Sequence, residues 1–257
     1  MVAGDSDFAT GDVRLSFLVV HSNAQVVYRP TATVWVARSR DTKPFERVTA
    51  KLFPIGPPGA GEQAAGGASA LYVAHLRIGR PGRYWVVAEP VGGKPIQALG
   101  TLDVKAHSTS PAIGAKAPAS STPTLASVGG NAGALTTRVP PDRALLRYSI
   151  ADSLRAHVPF VVTFATPRFC ASRTCGPVVD VVDAVRRRFE RRGIRFIHVE
   201  VYERNRPSLG YNRWMRQWHL ATEPWTFSVG RDGRIKAKFE GSVSAAELAA
   251  AVRRYLL

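Results

Sequence analysis

Between residues 12 and 105 the chain alternates. From Thr31 to Ala37, Ala32, Val34 and Val36 oppose Thr31, Thr33 and Trp35; from Val48 to Phe53, Val48, Ala50 and Leu52 oppose Thr49, Lys51 and Phe53. A period of two puts successive side chains on opposite faces of an extended strand. The apolar run Leu15 to Val20 and the stretches Leu71 to Ile78, Tyr84 to Ala88 and Leu99 to Val104 complete six or seven short strands. Turn formers divide them: Gly56-Pro57-Pro58-Gly59, Arg80-Pro81-Gly82 and Gly92-Gly93. No helical period interrupts, so the expectation for 12–105 is an antiparallel β-sandwich.

The pattern then changes twice. Residues 106–141 are rich in Ser, Thr, Ala, Gly and Pro and hold no aromatic residue, which reads as a linker or an irregular lead-in. From 142 to 257 helical and extended periods alternate. Ser149 with Asp152 opens a short helix to Ala156. Phe160 to Phe164 is a buried strand. Val178, Val181, Val182, Val185 and Phe189 recur at helical spacing, and Ile194 to Val201 is the next strand. Trp214, Met215, Trp218 and Leu220 mark a short helix. Trp225 to Val229 and Ile235 to Phe239 form a hairpin about Asp232-Gly233, and Ser244-Ala245-Ala246-Glu247 is a capping box opening the last helix.

Charge adds little. The net charge is +16, with +4 on residues 1–107 and +12 on residues 108–257. The basic side chains are dispersed along helices and turns, without the alternation of basic and aromatic residues that reads nucleic acid, so a solvated basic face is the reading and no specific nucleic-acid partner is expected. No run approaches the ~20 apolar residues of a membrane span. Met1 to Thr10 has no apolar core of a signal peptide. The chain as given reads as cytoplasmic, or as part of a longer precursor that works outside the cytoplasm or at a membrane.

The candidate chemistry is the dithiol Cys170-Ala171-Ser172-Arg173-Thr174-Cys175, the chain's two cysteines, lying after a strand and before an amphipathic stretch. A disulfide needs Cα atoms about 4.4–6.8 Å apart. Five residues of continuous helix rise by about 7.5 Å. If the two bridge, Cys170 therefore lies in a loop and the helix starts near Cys175 or after it. So small a loop would stabilise by only about 2 kcal/mol, which favours redox chemistry over a structural clip. His198 and His219 stand far from the cysteines in sequence, so no metal site and no cofactor are expected. His21, His75 and His198 read as surface or satisfied histidines.

Three resemblances extend this reading. Residues ~145–257, with the dithiol after the first strand and Trp218-His219-Leu220-Ala221-Thr222-Glu223-Pro224-Trp225-Thr226-Phe227 near the end, resemble the thioredoxin-like superfamily, in particular actinobacterial thioredoxin-domain proteins. The resemblance implies a C-terminal α/β thioredoxin-like fold with a central mixed sheet and a thiol–disulfide oxidoreductase acting on protein thiols or disulfides. It also implies Cys170 as nucleophile, Cys175 as resolving thiol, Pro224 as a cis-proline facing them, and Phe169, Pro224 and Trp225 as substrate groove. The spacing departs from the family's C-x-x-C, and the family's buried acid aligns with Thr163. Pro81-Gly82-Arg83-Tyr84-Trp85-Val86-Val87 resembles a strand entry of bacterial immunoglobulin-like accessory domains; that pairing points to a cell-envelope setting. Ile113 to Pro118 and Thr166-Pro167 ahead of Cys170 resemble peroxiredoxin segments. Three functions therefore stand open: the oxidoreductase, a non-catalytic binding module with a Cys170–Cys175 disulfide, and a thiol peroxidase.

Overall fold

A computed structural model describes residues 1–57 and 68–257. The Gly56 to Gly59 turn falls partly outside them, since Pro58 and Gly59 are not described. The chain forms two compact units that part between Ser108 and Thr109.

The first unit is one seven-stranded sheet. Its strands are β1 (Val2–Ala3), β2 (Gly11–Leu18), β3 (Thr31–Ala37), β4 (Glu46–Pro54), β5 (Ala70–Ile78), β6 (Gly82–Pro90) and β7 (Ala98–Val104), in the order β1-β2-β5-β4-β3-β6-β7. Every pairing is antiparallel. The alternation seen in the sequence sets which face is inside: Val34 lies opposite Val48 on β4 and Ala88 on β6. Leu15, Phe17, Val34, Tyr72, Leu76, Ile78, Tyr84, Val86 and Leu102 fill the interior. Buried polar tips are satisfied there. The Tyr72 hydroxyl accepts from the Arg29 amide at 2.9 Å, and the Tyr84 hydroxyl donates to the Arg80 carbonyl at 2.6 Å.

This sheet corrects the expected fold class. The strands do not divide into the two facing sheets of an immunoglobulin-like sandwich; they curl into a nearly closed barrel-like sheet. The ends meet where Thr10 N–H donates to the Lys105 carbonyl and Lys105 N–H donates to the Phe8 carbonyl, at 3.0 and 2.9 Å. Alternation within each strand is the same for a sandwich and a barrel, and only this pairing, some 95 residues apart in sequence, closes the sheet.

The second unit holds a four-stranded mixed sheet: β8 (Phe160–Phe164), β9 (Arg195–Val199), β10 (Trp225–Val229) and β11 (Ile235–Glu240), ordered β11-β10-β8-β9. β8 runs parallel to β9 and antiparallel to β10. Its helices are α1 (Ile150–Arg155), α2 (Cys175–Phe189), α3 (Arg213–Gln217) and α4 (Ala245–Tyr255). α1 and α3 have six and five residues, less than two turns each, and the molecule as a whole is mostly β, with 23% of it helical. The expected thioredoxin-like α/β fold is thereby corrected as well.

All five residues of β8 are buried, because both its faces are covered. On one side Val161 packs with Val178, Val181, Val182 and Val185 of α2 and with Leu248 and Val252 of α4. On the other, Phe160, Val162 and Phe164 pack with Phe227, Trp218, Met215, Ile150 and Ala117. Trp218 is fully buried between Phe164 and Phe227, at ring separations of 5.1 and 4.8 Å, with its indole N–H donated to the Ser120 hydroxyl. Segment 109–141 therefore supplies part of this core. It is pinned by Ala117 N–H to the Gly233 carbonyl and by Leu125 N–H to the Leu146 carbonyl. Among the described residues no helix is long and apolar enough to cross a membrane.

Candidate functional site: a thiol pair against a buried carboxyl group

The ten residues between β8 and α2 form a loop that folds back on itself. Its start is held by Ala165 N–H to the Val199 carbonyl; its tip turns through Arg173 N–H to the Cys170 carbonyl, with Arg173 in the left-handed region at φ 58°. α2 begins at Cys175. The loop thus returns the Cys170 sulfur to the first turn of the helix, where the Cys175 amide donates to Cys170 Sγ at 3.3 Å. The Ser172 hydroxyl lies 3.2 Å from the same sulfur. Both cysteines are thiols here, Cys170 half-buried and Cys175 buried.

Their environments differ. The neighbouring Cys175 side chain lowers the Cys170 pKa most, and Ser172 and the amides of Cys175 and Thr174 add to it, outweighing partial burial and bringing it to about 5. Free amides at a helix start favour an anion in this way. Burial drives Cys175 in the opposite direction, well above a free thiol, and the neighbouring Cys170 and Glu223 reinforce it. Cys175 donates its proton to Glu223 Oε2 at 2.7 Å. Desolvation raises the Glu223 carboxyl to about 7, against the opposing hydrogen bonds from Cys175 and the Thr166 amide.

Glu223 enters the site through its neighbour. The Glu223–Pro224 peptide is cis, and the chain then runs into β10, where Trp225 pairs with Phe164 at the end of β8. Thr163 bonds to the Trp225 carbonyl and the Thr226 hydroxyl, each at 3.2 Å. The carboxyl group beside the buried thiol comes instead from the turn that leads into β10.

The expected groove is only partly assembled. Phe169 is half-buried beside Tyr202, at 6.4 Å between rings, and Tyr202 stacks on Tyr211 at 5.5 Å. Pro224 is buried. Trp225 is turned into the core, stacked on Phe227 with its N–H donated to the Thr222 hydroxyl. The half-buried aromatic edge beside the thiols is thus Phe169–Tyr202–Tyr211. Neither tyrosine stands out in the sequence; their joining through the Tyr202–Tyr211 bridge is a long-loop contact without periodicity. Glu223 is flagged there only as the residue before Pro224.

The histidines stand apart. His198 is enclosed, with Nε2 2.9 Å from the Ala165 carbonyl and Nδ1 3.4 Å from the Thr136 hydroxyl; His21, His75 and His219 are exposed. The Thr166 hydroxyl, buried, has no hydrogen-bond partner among the described residues, so it does not hold Cys170 as the peroxidase reading requires. In sequence comparison, no protein-family model and no characterised protein matches the chain.

Proposed function

We propose that this chain is a thiol–disulfide oxidoreductase whose working pair is Cys170 and Cys175. One arrangement carries the reading: an accessible sulfur at the start of α2, a second sulfur behind it, and a carboxyl group 2.7 Å from the second. Cys170, as thiolate, attacks one sulfur of a substrate disulfide. The substrate S–S bond breaks, a Cys170 mixed disulfide forms, and the departing sulfur takes a proton from solvent. Cys175 then passes its proton to the Glu223 carboxylate and attacks the Cys170 sulfur. The Cys170–Cys175 bond forms and the second substrate sulfur leaves, taking up the proton held by Glu223. The enzyme dithiol loses two electrons and the substrate disulfide gains them; the same steps in reverse oxidise a substrate dithiol.

The half-buried Phe169–Tyr202–Tyr211 edge offers apolar contact to a protein substrate flanking the sulfur. Equilibration with glutathione redox buffers tests the reading. A reversible two-electron couple between about −100 and −300 mV, lost in Cys170→Ser and in Cys175→Ser, is the expected result. A pair that neither oxidises nor reduces across that range ends it.

A further inference from the structure

Three donor atoms converge at the thiol pair. Cys170 Sγ, Cys175 Sγ and a carboxylate oxygen of Glu223 all lie within 4.8 Å of one another, the last two in contact at 2.7 Å. We propose that the reduced pair and Glu223 form a binding site for a thiophilic divalent cation of the zinc class, with two sulfurs and one oxygen from the protein and a fourth position facing solvent on the Cys170 side.

The geometry fits with small movements. Tetrahedral zinc, with Zn–S near 2.3 Å and Zn–O near 2.0 Å, sets its ligand sulfurs about 3.8 Å apart and a sulfur–oxygen pair about 3.5 Å apart. The Cys175–Glu223 contact has only to open by about 0.8 Å once the shared proton is gone. The three ligands come from the loop tip, the first residue of α2 and the second residue before β10, so Cys175 is held by a helix and Glu223 by the turn into the sheet while Cys170 closes on the ion from the loop. Two thiolates select zinc, cobalt or cadmium over magnesium or calcium, and the carboxylate distinguishes the set from the all-sulfur environment that copper(I) prefers. Both histidines that the sequence put forward for comparison are left out: His198 is engaged elsewhere and His219 is exposed.

Binding balances without redox change. Two Zn–S bonds and one Zn–O bond form, the S–H bonds of both cysteines break, and their protons leave to solvent, that of Cys175 by way of Glu223. A Cys170–Cys175 disulfide leaves no thiolate to bind, so metal and disulfide exclude each other. The site requires only the reduced pair and no turnover, so its failure is separable from failure of the oxidoreductase reading.

The test uses the reduced full chain titrated with Co²⁺ alone and then competed with Zn²⁺. The expected result is one Co²⁺ per chain, with a thiolate-to-cobalt charge-transfer band that Zn²⁺ abolishes. The band should vanish in Cys170→Ser, in Cys175→Ser and after oxidation of the pair. Glu223→Gln, which keeps the side-chain shape, should keep the band and weaken affinity about tenfold or more. Absence of the band in the reduced chain overturns the proposal, and so does metal binding that survives both cysteine substitutions. A chain that shows the reversible disulfide couple but no cobalt band keeps the first reading and loses this one.

Discussion

The two units spend their buried polar groups differently. In the barrel-like unit each interior tyrosine tip has a short, neutral partner: Tyr72 with the Arg29 amide and Tyr84 with the Arg80 carbonyl. Those contacts hold the sheet. In the second unit, two thiols and Glu223 meet beside the start of α2, with His198 buried apart from them on β9, and their proton affinities are pushed apart: Cys170 down, Cys175 and Glu223 up, His198 down. Burial without full neutral pairing costs stability, and such groups cluster where chemistry is done. The comparison separates a unit built for packing from one that holds the candidate site.

Substitutions that break the comparison come first. Cys170→Ser should reduce turnover of a model disulfide to that of buffer, while the thermal unfolding of both units stays within about 0.5 kcal/mol, because the side chain is half-buried at a loop tip. A variant that retains turnover would move the nucleophile elsewhere. Trp218→Ala empties the space between Phe164 and Phe227 and should destabilise the second unit by about 3–5 kcal/mol, leaving the first unit's hydrogen-exchange protection unchanged. Equal loss of protection in both units would show that they do not fold independently. Glu223→Gln removes the proton acceptor but preserves shape; resolution of the mixed disulfide should slow about 100-fold, read in a single-turnover experiment, with formation of that disulfide unaffected.

Two smaller effects sharpen the contrast. His198 is held neutral by burial, with its pKa below the ordinary value of 6.5. The unfolded state therefore takes up a proton that the folded state excludes. The second unit should lose stability as pH falls below about 6.5, and His198→Gln should flatten that dependence; an unchanged slope would assign the acid sensitivity to another group. Ser244→Ala removes the side chain that accepts from Glu247 N–H and should cost about 1 kcal/mol in the second unit by denaturant midpoint.

The sequence showed the elements better than their assembly. β3, β8 and β10 are bounded where alternation and apolar runs put them, and α2 starts at Cys175, as bridging within so short a loop would require. Barrel closure was hidden because Phe8, Thr10 and Lys105 meet through backbone groups that carry no side-chain signature. The small residues of segment 109–141 read as linker composition, yet Ala117 packs against the second sheet for the same reason, its small size. Trp225 looked like a groove residue, but every residue of β10 is buried and its ring stacks inward. Glu223 is the substantive omission: in the sequence it is only the residue before Pro224, whereas its carboxyl group reaches Cys175 from the turn before β10.

The central claim is an asymmetric pair, an outer sulfur that attacks and an inner sulfur that resolves. Incubating the single-cysteine variants with oxidised glutathione and locating the adduct by peptide mass spectrometry tests it directly. Cys175→Ser should accumulate a stable mixed disulfide on Cys170, and Cys170→Ser should leave the buried Cys175 unmodified over the same time. Equal modification of both cysteines, or adduct on Cys175 alone, would contradict the account.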